Sequence, residues 1–139
     1  MSPIETLSLI EANFSLEAQS EDQRMLVSFR GQADMQSVER LSSYMNDLHR
    51  EALARGIAEV VFDVQELQFL NSSCFKLFIN WIAKVARADP NYRITFVGNP
   101  AVGWQKRSLG ALRCVAEQIV NLKGLETQRP GPADRSRGD

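Results

Sequence analysis

The chain has one histidine, two cysteines and almost no net charge, −1 over 139 residues. Each scarcity excludes a class of function. A Ser–His–Asp or Cys–His site needs an imidazole beside a nucleophile. The single His49 falls between Leu48 and Arg50, off the apolar stripe of its helix, and is expected to be solvated. Cys74 and Cys114 cannot build a disulfide framework or a zinc quartet. They read as reduced thiols of a cytosolic protein. Without a basic excess there is no electrostatic grip on nucleic acid. No apolar run approaches the roughly 20 residues of a membrane span, so no membrane insertion is expected. The opening MSPIETLSLIEANF lacks the basic and apolar regions of a secretory signal. The expected location is cytoplasmic, and the sequons at Asn13 and Asn71 then carry no meaning. Carboxylates are scattered, with no metal-ligand spacing and no acid–base pair. No metal, no cofactor and no enzymatic activity are expected. The stretch GNPAVGW (98–104) resembles a phosphate loop only superficially, because Trp104 stands where the lysine should be.

What is present is periodic. Residues 1–11 read as a lead-in. Phe14, Leu16 and Ala18 alternate in a first strand over 13–19, and Met25, Val27 and Phe29 in a second over 24–31. The polar SEDQ between them suits a hairpin turn. Met35, Val38, Leu41, Met45, Leu48 and Ala52 recur every three or four residues, predicting a helix over 35–55. Asp34 is its expected N-cap and Gly56 its stop. AEVVFDV (58–64) contains a continuous apolar run, which predicts a parallel strand covered on both faces. A second helix is expected over 72–88, with Phe75, Phe78, Ile79, Ile82 and Val85 as its stripe, widened by Leu77 and Trp81. A strand follows over 92–98. Asn99-Pro100 then reads as N-cap and first residue of a helix over 100–112. A last strand is expected over 115–122. The order β-β-α-β-α-β-α-β makes a single α/β domain over 12–126, with a mixed central sheet flanked by α-helices. The Pro-, Gly- and Arg-rich tail 127–139 is expected to be disordered.

The chemistry concentrates in FLNSSCFKLF (69–78), where a buried strand runs into an apolar helix. Asn71 is a good N-cap, and Ser72 and Ser73 then fall in the first turn. One reading is punctuation alone. The other is a modification site. A strand-to-helix turn lies at the rim where α/β folds place function. A phosphate on a first-turn hydroxyl meets the positive end of the helix dipole, worth about 0.3–1 kcal/mol. Cys74 shares that turn, where a thiol pKa can be lowered for redox chemistry, although a packed small residue is the simpler reading. GWQKRSLGALR (103–113) adds a second candidate surface, because Trp104, Lys106, Arg107 and Arg113 combine an aromatic with cations.

The element order, with VVFDVQELQFLNSS opening the second helix, resembles a STAS domain, the family of bacterial anti-sigma factor antagonists. RGQAD (30–34) is similar to that family's Gly-x-Leu-Asp turn. The family's Asp-Ser-(Ser/Thr)-Gly motif corresponds here to Asn71-Ser72-Ser73-Cys74, with Asn71 in place of aspartate and Cys74 in place of glycine. Leu70, Asn71, Ser72, Ser73 and Lys76 also resemble a STAS-like group that regulates a diguanylate cyclase. The resemblance implies a partner switch phosphorylated at Ser72, with Ser73 as the alternate. It implies a serine kinase of the anti-sigma type, a PP2C-type phosphatase, and a target that is an anti-sigma factor or a diguanylate cyclase. Asn71, Ser73, Cys74, Lys76, Trp104, Lys106 and Arg107 are the expected partner-binding residues. The competing expectation is a passive STAS interaction module of a transporter or signalling assembly, with Ser72 only a cap residue.

Overall fold

A computed structural model describes residues 2–125. The alternating apolar residues build the first hairpin as expected. Strand β2 (Phe14–Glu21) pairs antiparallel with β3 (Arg24–Ala33). Leu16 lies opposite Phe29 and Ala18 opposite Val27, so one set of side chains enters the core. The turn is two residues long, and Asp22 takes φ 56° there. Residues 2–10 are not a lead-in. They form strand β1 (Ser2–Ile10), antiparallel to β2, with Ile4 and Leu7 buried. A register shift between Pro3 and Ser8 breaks the two-residue period that would have marked the strand.

Asp34 caps the next element, accepting from the Gln36 N–H at 3.0 Å while Ser37 Oγ accepts from the Asp34 N–H at 3.2 Å. The residues it caps form a 3-10 turn, Met35–Ser37, ahead of helix α1 (Val38–Ala54). Met35 therefore leaves the apolar stripe and is 65% exposed. Leu41, Met45, Leu48 and Ala52 are buried as expected. Gly56 takes φ 64° just beyond the helix, a conformation glycine adopts without steric cost.

Strand β4 (Glu59–Asp63) is followed by β5 (Leu67–Leu70), helix α2 (Ser72–Arg87), β6 (Arg93–Val97), helix α3 (Gln105–Val115) and β7 (Val120–Lys123). The sheet order is β1-β2-β3-β4-β6-β7. From β3 to β7 the pairings are parallel. Strand β5 also pairs with β3 in parallel, continuing where β4 ends. The mixed sheet with flanking helices is as expected, with β1 and β5 added to the order.

Phe29, Phe62, Phe78 and Phe96 form the centre of the core, each at most 2% exposed. Helices α1, α2 and α3 all contribute to this one cluster. The expectation that β4 is covered on both faces does not hold. Val60 and Phe62 belong to the core cluster, whereas Val61 does not. Its shielding comes from within the sheet, where Leu26 and Thr95 flank it on the neighbouring strands. Around it Glu17, Gln19 and Arg30 are exposed. Asn99-Pro100 does not start helix α3. Asn99 Oδ1 accepts from the Ala101 N–H at 3.0 Å in a turn, and the helix begins at Gln105. It continues to Val115, so the last strand starts at Val120 rather than 115.

Candidate functional site

The rim of the sheet is assembled by β5 and the first turn of α2. The Asn71 N–H donates to Ala33 O at 2.8 Å, which ties the junction to β3. Asn71 is extended, with φ −62° and ψ 151°, and its Oδ1 accepts from the Ser73 N–H at 2.8 Å. The expected N-cap is thus the observed one. Because Asn71 does the capping, Ser72 has no structural task. It is exposed, and its hydroxyl enters none of the hydrogen bonds among the described residues. Ser73 is half-buried. No acidic side chain of α2 itself occupies its first turn.

Cys74 does not belong to the partner-facing surface expected of it. It is fully buried, and its thiol donates to Asp34 O at 3.3 Å. Burial and the Asp34 charge raise its pKa, opposite to the lowering expected of a first-turn thiol. Lys76 is exposed beside Ser72 on the same helix. Trp104 is half-buried and its indole N–H donates to Gln68 O at 2.8 Å, which brings the start of α3 against β5. Lys106 and Arg107 are exposed on that helix. The two candidate surfaces of the sequence, 69–78 and 103–113, therefore meet at one rim. Arg113 lies in the last turn of α3, away from its start.

Two rim residues escape a sequence reading. Phe69 is 47% exposed and Met35 is 65% exposed. The pairing of β5 with β3 shifts register between Gly31 and Gln32, so Gln68 is skipped and the alternation set by Leu67 fails at Phe69. Nothing in the sequence marks that bulge. Met35 follows Asp34, whose carbonyl accepts from Cys74, so it too lies close to the start of α2.

No family model and no curated protein matches this sequence. Among solved structures it is similar to the Bacillus cell fate determinant SpoIIAA in its phosphorylated form, with a TM-score of 0.52 at 15% identity. The match covers 89% of this chain and 99% of that one. The chain has the STAS fold. The STAS resemblance read from the order of elements is thus met at the level of architecture. Among the described residues no helix of this STAS fold is long and apolar enough to cross a membrane.

On the far side of the STAS fold, His49 is not the solvated helix residue expected. It is half-buried, with Nδ1 2.7 Å from Tyr92 Oη. The Trp81 indole N–H donates to the same Oη at 2.9 Å, and Trp81 is buried as expected. Tyr92 Oη accepts from Trp81 and keeps its own proton, which it can donate to His49 Nδ1 in the tautomer that leaves that nitrogen unprotonated. Burial, and then the nearby Lys84 charge, hold the His49 pKa below its usual 6.5. The unfolded chain therefore binds a proton before the folded one does. The contribution of His49 to stability is complete above pH 6.5 and is lost as pH drops below it. Urea midpoints measured between pH 7.5 and 5.5 should decline, and His49→Gln should flatten the decline. His49 is the chain's one histidine, so the attribution is clean. An unchanged slope in His49→Gln would remove the role assigned to this hydrogen bond.

Proposed function

We propose that this chain is a non-enzymatic partner-switching regulator, which binds a target protein when unmodified and releases it when Ser72 is phosphorylated. The observation that carries the reading is the division of labour at the start of α2. Asn71 supplies the cap, and Ser72 presents a free hydroxyl on an exposed first turn. The fold likeness to a protein solved in a phosphorylated form supports the same reading. A phosphoserine adds nearly two negative charges at neutral pH, and the helix dipole tolerates them there. The domain need not refold. Its rim, which also exposes Phe69 and Met35, changes from partly apolar to strongly anionic. The modifying enzymes are a serine kinase of the anti-sigma type and a PP2C-type phosphatase. The target is an anti-sigma factor or a diguanylate cyclase.

The test is incubation with a serine kinase of the anti-sigma type from the same organism and ATP, followed by site mapping by mass spectrometry. Phosphate is expected on Ser72, with Ser73 as the alternate. Absence of modification at both serines with the cognate kinase would sink the proposal. A passive interaction module is the second reading, although Ser72 is not the cap residue that reading expected, because Asn71 Oδ1 makes the cap. A target complex indifferent to the charge at Ser72 would select it.

A further inference from the structure

We infer that Gln105 and Trp104 are positioning residues for Ser72, acting through strand β5. The inference rests on the reading that Ser72 is the functional hydroxyl. Strand β5 is four residues long and has a neighbouring strand, β3, on one side only. Short two-stranded pairings are marginal by themselves. The backbone from Val64 to Gln68 is held instead by side chains from 99–105. Gln105 is completely buried. Its Nε2 donates to Val64 O at 2.6 Å and to Leu67 O at 3.0 Å, and its Oε1 accepts from the Asn99 N–H at 2.7 Å. Asn99 Nδ2 donates to Gln65 O at 3.3 Å, and Trp104 Nε1 to Gln68 O at 2.8 Å. Glu66 O accepts from the Gly31 N–H at 3.0 Å. Five consecutive carbonyls are thus engaged, and four of them by side chains at or just before the start of α3.

The residue types fit this task narrowly. A buried amide must have its donors and acceptor satisfied, and Gln105 satisfies both kinds at once. Glutamate could accept from Asn99 but would face two carbonyl oxygens with no proton to give. Room for the amide depends on Gly98, where an added Cβ would lie 3.0 Å from Gln105 Oε1 and 2.5 Å from Leu125 Cδ2. From Gln68 the chain runs through Phe69 and Leu70 to Asn71, whose N–H reaches Ala33 O. A β5 freed from Gln105 and Trp104 is left with its β3 pairing alone, and the cap residue moves with it.

Amide hydrogen exchange on the full, unphosphorylated chain tests this. Trp104→Phe keeps an aromatic ring, though a smaller one, at a half-buried position and removes one donor, so the fold should survive. The amides of Asn71, Ser73 and Phe75 should exchange about tenfold faster than in wild type. Gln105→Met should accelerate them further. Exchange in β2 and β4 should stay at wild-type rates in Trp104→Phe. Acceleration that stops at residue 68, with 71–75 unchanged, would overturn the inference. So would a uniform acceleration across the sheet, which is what a merely structural role gives. No kinase or target enters the experiment. Its failure would remove the positioning role and leave Ser72 phosphorylation standing, and a Ser72 that is never phosphorylated would leave the exchange result standing.

Discussion

Ser72→Asp is expected to weaken target binding by at least about 100-fold, while Ser72→Ala binds as wild type. The substitutions differ in what they bring into an interface. Ser72 is exposed at the first turn and does no capping, so alanine removes nothing the fold uses. Aspartate brings a carboxylate to a rim where Phe69 and Met35 are exposed. A partner fitted to the neutral hydroxyl would have to desolvate the charge while offering no cation of its own to meet it. Such unpaired burial costs on the order of 3 kcal/mol or more. The free domain should be unharmed, because a carboxylate in the first turn of α2 is favourable to the helix. Titration of the target by calorimetry, alongside thermal melts of both variants, separates the two effects. Equal affinity for Ser72→Asp and wild type would rule out switching by charge at this position.

Phe78→Ala should cost about 3–5 kcal/mol of folding stability. Phe78 is 2% exposed and belongs to the helix that carries Ser72. Its ring centroid lies 5.3 Å from Phe62, 6.1 Å from Phe29, 6.1 Å from Phe96 and 6.2 Å from Trp81. These neighbours come from three strands and α2 itself, so a cavity there cannot be closed by moving one element. The loss is a large part of the roughly 5–15 kcal/mol that holds a domain of this kind together. Lys76→Ala, two residues earlier on an exposed position, should stay within about 0.5 kcal/mol. Urea denaturation of both variants measures the contrast. A cost under about 1 kcal/mol for Phe78→Ala would mean that α2 is not anchored by this ring.

The parts legible in the sequence are those whose signal is local. The alternation in β2 and β3 and the stripes of α1 and α2 follow from the backbone period of each element. The cap at Asn71 follows from the reach of one side chain to an amide two residues on. The STAS architecture follows from the order of such elements. Strands β1 and β5 were hidden because a register shift interrupts each pairing, and a shift is a property of two strands together. His49 looked solvated because its partner Tyr92 is 43 residues away. Cys74 is the packed small residue the simpler reading expected, and the lowered thiol pKa its helix position allowed is reversed by burial and the charge of Asp34, 40 residues distant.

By itself, then, the sequence determined the helices, the main strands and the turn at 71–74 as the place where two hydroxyls meet a helix start. Only the tertiary structure decided that Ser72 is exposed and outside the cap, and what surrounds its hydroxyl. Exposure of Met35 and Phe69, withdrawal of Cys74, and the hold of Gln105 and Trp104 on β5 all depend on contacts between segments roughly 35–40 residues apart. Periodicity reports which face of an element is apolar. Which other element covers that face is settled only when the chain is packed.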